Sequence, residues 1–136
     1  MPINGELMEN DIAIIRDIEY NVITLRRIDM ESILTSIKKL LGIAEEYTHF
    51  DQDIIMQINS ALFDLTQLGV GPSAGFSIDD AEDVWNDFVD VSRIEAVKTY
   101  VYLSVKLIFD PPDKPAVIAA YERRLKELEW RLNVAV

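Results

Sequence analysis

The chain reads as an all-α protein, a small bundle of about five helices, on three observations. Apolar residues recur at spacings of three and four over most of its length; glycine and proline gather at a few points between those stretches; and alternating apolar and polar runs are short. With 136 residues, 49% of them hydrophobic and only five glycines, the composition is that of one globular domain able to bury a core of its own.

The first element is expected from Asp11 to about Ile28, where Ile14, Ile18, Val22, Leu25 and Ile28 form one stripe. Arg16, Asp17, Glu19, Arg26 and Arg27 lie away from it, so the helix should be half solvated, with Asn10 or Asp11 as its cap. Tyr20, Val22 and Thr24 also alternate, which offers a shorter strand reading. A second helix is expected from Glu31 to Leu41, capped by Asp29, with Lys38 and Lys39 in its last turn, where cations suit the helix dipole. Gly42 follows where a left-handed terminating residue is wanted.

The third helix has the clearest pattern. Ile54, Ile55, Ile58, Leu62, Leu65 and Leu68 share a face, Asp51 stands at its start and Gly69 just past its end. A glycine-rich joint, "GVGPSAG" (69–75), comes next. The following segment, "FSIDDAEDVWNDFVD" (76–90), reads two ways. Ser77 and Asp80 resemble a capping box, whereas Phe76 and Ile78, an acidic turn, then Val84, Asn86 and Phe88 alternate like a small β-hairpin. The hairpin is the favoured reading, projecting between the third and fourth helices.

The fourth helix spans about Arg93 to Phe109 on a stripe of Ile94, Val97, Val101, Val105 and Ile108, widened by Tyr100, Leu103 and Leu107, and should be central. Pro111, Pro112 and Pro115 then interrupt the apolar pattern, since proline lacks a backbone donor and clashes inside a helix. A joint of about six residues suits a helical hairpin. The fifth helix, Ala116 to about Asn133, should turn Val117, Ala120, Tyr121, Leu125, Leu128 and Leu132 inward, with Glu122–Lys126 and Glu127–Arg131 as surface pairs.

Composition bounds the function. The formal charge of −11 repels phosphate, which disfavours tight nucleic-acid binding but suits DNA passing nearby without being held. No stretch is long and apolar enough to span a membrane, and the acidic N-terminus lacks the basic and apolar regions of a signal peptide, so a cytosolic protein without membrane contact is expected. There is no cysteine, and the single histidine, His49, lies between aromatics in "YTHFD" and reads as a packing or surface residue.

Neither a catalytic nor a cofactor-binding constellation is found. Asp79, Asp80, Glu82, Asp83, Asp87 and Asp90 are dense but lack the glycine and ligand spacing of a calcium loop, so they read as a solvated acidic loop with no metal assigned. "GVGPSAG" has no following lysine and matches no phosphate-binding fingerprint. Serines near it have no base. Among the aromatics, Tyr100, Tyr121 and Trp130 fit core packing, whereas Trp85, flanked by acids, is the better interface candidate because tryptophan is enriched at binding hot spots.

Five stretches together carry a resemblance: "ILTSIKKLLGI" (33–43), "YTHFDQDIIMQINSALFDLTQLGVGPSAGFSI" (47–78), "WNDF" (85–88), "EAVKTYVYLSVKLIFDPP" (95–112) and "LKELEWRLNV" (125–134). In order and spacing they resemble the small head-tail connector proteins, also called adaptor or head-completion proteins, of long-tailed bacteriophages and prophages. The resemblance begins near Met30, so residues 1–29 read as an N-terminal extension of helical pattern and 30–136 as the connector domain.

The family implies a non-enzymatic virion component of the neck, assembled in the host bacterial cytoplasm. It implies a ring on the order of a dozen copies that joins the portal protein to the neck or tail-completion (stopper) protein and lets DNA pass through its lumen. On this reading the interface residues are Phe76, Trp85 and Phe88 in the loop, and Arg131, Asn133 and Val136 at the C-terminal end. The competing reading is a monomeric or dimeric regulatory module that binds another protein through an apolar helix face.

Overall fold

The computed structural model describes residues 11–19 and 30–134. The chain divides into two compact units, Met1–Met30 and Glu31–Val136. Within the first, residues 11–19 form a helix, α1, whose Ile12, Ile14, Ile15 and Ile18 are exposed. Val22, Leu25 and Ile28 of the expected stripe, and the strand reading of Tyr20, Val22 and Thr24, lie outside the described residues.

The second unit is all-α: α2 (Ile33–Leu40), α3 (Asp51–Gln67), α4 (Ile94–Phe109) and α5 (Pro115–Val134). α2 begins two residues later than the sequence suggests. The hydroxyl of Ser32 accepts a hydrogen bond from the Thr35 N–H at 3.2 Å and caps it, while Asp29 lies outside the described residues. The expected ending holds: Gly42 has φ +79, with the Gly42 N–H donating to Lys39 C=O at 3.1 Å and Ile43 N–H to Lys38 C=O at 2.9 Å.

α3 is about 25 Å long and buries Ile54, Ile55, Ile58, Ala61, Leu62 and Leu65. It packs against α4, which contributes Val97, Tyr100, Val101, Leu103 and Val105 to the core. Ile108, expected on the same stripe, is 66% exposed. α5 returns along α4. The Tyr100 hydroxyl, near the start of α4, donates to Glu129 Oε1 near the end of α5 at 3.0 Å, so the two helices run antiparallel. Of the inward face expected for α5, Leu128 and Leu132 are buried, Val117, Tyr121 and Leu125 are half-buried, and Ala120 is exposed.

The proline joint is shorter than expected. α4 ends at Phe109, five residues from Asp110 to Lys114 make the corner, and Pro115 is itself the first residue of α5. Proline is tolerated there because the first helical N–H has no intrahelical acceptor to lose and the fixed φ suits the helix. Pro111 and Pro112 remain outside both helices.

The β-hairpin between α3 and α4 is absent. Among the described residues the segment from Phe76 to Arg93 contains one isolated antiparallel bridge, Ser32 with Val84, and two 3-10 turns, Trp85–Asp87 and Val91–Arg93. Most of its apolar residues are drawn into the bundle rather than paired strand to strand, while Val91 stays exposed. Ile78, Val84, Trp85, Phe88 and Val89 are all buried.

Candidate interaction surfaces

The long loop is anchored to the helices at three places, and these anchors decide which of its side chains reach solvent. Asn59, on α3, receives a hydrogen bond from the Ile78 N–H at 2.7 Å through Oδ1 and donates from Nδ2 to the Ile78 carbonyl at 3.0 Å. One amide side chain thus satisfies both backbone groups of a buried residue. The loop also crosses the start of α2, where Ile33 N–H donates to Asp83 C=O at 2.9 Å and Trp85 N–H to Glu31 C=O at 3.2 Å.

The third anchor is Trp85. It is fully buried, and its indole N–H donates to the Ser36 hydroxyl at 2.8 Å, which in turn donates to the Ile33 carbonyl at 3.0 Å. The interface assignment for Trp85 therefore gives way to a core role: its neighbours in sequence are acidic, but the chain bends so that the indole faces α2. Phe88, 3% exposed, is likewise a core residue. It packs on Gly71, where φ is +85 and a Cβ would stand 2.5 Å from the Phe88 ring. Phe76 is half-buried with its ring centroid 5.4 Å from that of Phe88.

The acidic residues of the loop work locally. Asp83 Oδ2 accepts from the Asp79 N–H at 2.8 Å, and Asp80 Oδ1 accepts from the Glu82 N–H at 2.8 Å. These are turn-capping contacts. Among the described residues no three ligating side chains converge on a point where a metal ion could sit.

At the C-terminal end, Arg131 and Asn133 are exposed, and Val136 lies outside the described residues. Arg131 pairs with Glu127 at 2.7 Å, as the spacing suggested, and Glu127 also holds Arg124 at 3.0 Å. The expected Glu122–Lys126 pair does not form. Asn133 Nδ2 donates to the Leu68 carbonyl at 3.2 Å, tying the end of α5 to the end of α3.

Sequence reasoning missed one charged group of consequence. Lys38, 2% exposed, sends its ammonium to the carbonyls of Glu45 at 2.9 Å and Tyr47 at 2.7 Å and to Asp51 Oδ1 at 2.8 Å. All three donors are used, and together they fasten the loop after α2 to the first turn of α3. The available signal was a lysine among apolar residues at i−1 and i−4, Ile37 and Leu34, with an aspartate opening the next helix.

Nearby, the ring of Phe50 meets His49 at 4.8 Å and Phe109 at 5.4 Å between centroids, closing the α3–α4 end of the bundle. On α4, burial pulls the Lys98 ammonium down, but hydrogen bonds to Glu31 at 2.6 Å and Glu95 at 3.2 Å outweigh it and hold the pKa above the usual lysine value.

What remains exposed and apolar in the second unit is distributed over the outer faces of the helices and their ends: Met56 and Phe63 on α3, Ile108 on α4, Trp130 and Val134 on α5, with Leu40, Tyr47 and Val91 beside them. This helical bundle matches the family model for phage connector proteins over residues 33–136. The chain belongs to the phage connector protein family. Neither a curated protein nor a solved structure matches it. The connector is thus a bacteriophage structural component, and the match covers all four helices of its second unit. Among its described residues no helix is long and apolar enough to cross a membrane.

Proposed function

We propose that the protein is a neck component of a tailed phage, a ring of identical copies that joins the portal protein to the neck or tail-completion protein and lets DNA pass through its lumen. The observation that supports this most is the phage connector match over residues 33–136, which spans the whole helical bundle. Closed cyclic symmetry is the ordinary way in which a small subunit forms a channel around a linear object. The net charge of −11 suits a lumen that repels phosphate, so that the duplex slides without being held.

In this reading residues 1–29 are an extension added to the connector domain 30–136. The loop from Gly69 to Phe88 is a neighbour-facing or tail-side element that contributes Phe76 and its acidic turn, with Trp85 and Phe88 fixing its course from within. Arg131, Asn133 and Val136 lie at a portal-side end. Assembly takes place in the host bacterial cytoplasm, and the mature location is the neck of the virion.

Cryo-electron microscopy of intact particles tests this. A closed ring of this bundle below the portal is the expected result, and a neck without the chain would overturn it in favour of a regulatory binding module. A lumen lined mainly by basic side chains would overturn the sliding argument alone.

A further inference from the structure

Two exposed apolar stripes lie on separate helices of the second unit, and their charged surroundings differ. On α3, Met56 and Phe63 stand seven residues apart on one line of the helix, 59% and 60% exposed, along a shallow furrow that also includes Asn59 and Ser60. On α5, Trp130 and Val134, 68% and 62% exposed, stand one turn apart on the side opposite the buried Leu128 and Leu132. α4 packs against both helices, and each stripe faces away from the core.

Every charged residue of α3 is acidic: Asp51, Asp53 and Asp64. Asp51 is held by Lys38, but Asp53 and Asp64 are exposed beside the stripe and form no ion pair among the described residues. Around Trp130 both signs occur, but Glu127 is taken up by Arg124 and Arg131 and Glu129 by the Tyr100 hydroxyl, leaving Glu122 as the acid of α5 without such a contact among the described residues. Lys126, one turn before it, and Arg123, two turns before it, are exposed and likewise without an ion pair, whereas Arg124 and Arg131 are both held by Glu127. In a chain of net charge −11, two unpaired cations in the two turns before an exposed tryptophan are a directed feature rather than background.

We propose that the α3 stripe of one copy docks on the α5 stripe of the next, Met56 and Phe63 against Trp130 and Val134, with one acidic end of the α3 stripe, Asp53 for parallel helices or Asp64 for antiparallel ones, facing Arg123 and Lys126. The proposal rests on the ring reading and names its subunit contact. Self-pairing of either stripe is disfavoured, since α3 on α3 sets acid against acid and α5 on α5 sets cation against cation. The complement of each stripe is carried by the same chain, so the occupant is a second copy. Joining two different surfaces makes the contact heterologous, the type that propagates from subunit to subunit until a ring closes. Trp130 supplies the aromatic anchor such contacts favour.

The absence of cysteine from the chain makes the test direct. Full-length protein carrying Ser60→Cys on α3 and Asn133→Cys on α5, about one turn from Trp130, is treated with a short bis-maleimide from micromolar to millimolar concentration and run on a denaturing gel. The expected result is a ladder of dimers, trimers and larger species for the double variant, dimers for a mixture of the two single variants, and monomer for each single variant alone. Adding Phe63→Ala or Trp130→Ala, both at exposed positions, should lower the cross-linked yield about tenfold with unchanged circular dichroism. Single variants that cross-link to themselves, or no ladder at any concentration, would overturn the proposal. A neck ring whose subunits meet through other faces overturns this contact and leaves the ring standing; a ladder from a chain absent from the neck does the reverse.

Discussion

Lys38 sits 2% exposed with its ammonium shared among two carbonyls and Asp51, and the worth of that arrangement is set by what its removal strands. Lys38→Met keeps the stem's packing but leaves a carboxylate and two carbonyls short of a donor, so it is expected to cost about 3 kcal/mol, read from the denaturant midpoint. An unchanged midpoint would mean that water replaces the ammonium. Tyr100 offers a second test, through pH. Burial first, and then its hydrogen bond to Glu129, raise the phenol above its usual value. A group with a raised folded pKa contributes stability that is complete below the unfolded value, about 10 for tyrosine, and is lost as pH rises, because the unfolded chain sheds the proton while the folded one keeps it. Tyr102, Lys98 and Lys106 are raised too and act in the same direction. Thermal melts should therefore fall steadily as pH rises from about 9, and Tyr100→Phe should flatten that fall while costing stability at neutral pH through the lost hydrogen bond. A variant with the same alkaline slope as the parent would show that Tyr100 is not a main source.

At the scale of elements, the helices follow from periodicity and their ends from a few residues. α2, α3, α4 and α5 all fall where three-and-four spacing places them, because each needs an apolar face for the same core. The boundaries that moved did so for local reasons: Ser32 caps α2 with its hydroxyl, and Pro115 starts α5 instead of preceding it. The loop after α3 is where pattern failed. Phe76, Ile78, Val84, Asn86 and Phe88 alternate as a strand pair would, yet the alternation comes from docking onto α2 and α3 through Asn59 and Trp85. Gly71 and Gly75 test that docking. Both have positive φ, but a Cβ at Gly75 meets nothing within 4 Å whereas one at Gly71 stands 2.5 Å from the Phe88 ring. Gly75→Ala should cost about 1 kcal/mol from backbone strain alone, and Gly71→Ala about 1–3 kcal/mol more from displacing a core ring. Equal costs in chemical denaturation would mean that Phe88 moves freely.

For the whole molecule, every residue of the buried hydrophobic core among the described residues lies between Ile33 and Leu132, inside the compact unit Glu31–Val136. A chain starting at Glu31 should thus fold cooperatively, with a melting temperature within a few degrees of the full protein. A large loss would assign residues 1–30 a part in folding. The same truncation retains both stripes of the proposed α3–α5 contact, so its self-association separates the role of the first unit from that of the bundle.

The order of the helices, the glycines that end α2 and α3, the acidic surface and the resemblance to phage connectors were all decided by the sequence itself, because each depends on residues close together in the chain or on composition. Tertiary structure alone decided the role of the loop. Trp85 finds Ser36 across 49 positions, and Asn59 finds Ile78 across 19. No periodicity encodes such pairings, since burial of an indole among acidic neighbours is favourable only once a distant hydroxyl is in place to take its N–H. The outer stripes are different: Trp130 stands two residues from both Leu128 and Leu132, on the far side of the helix from the stripe they share, so periodicity itself turns it to the solvent, and only its place beside other exposed groups depends on the packing.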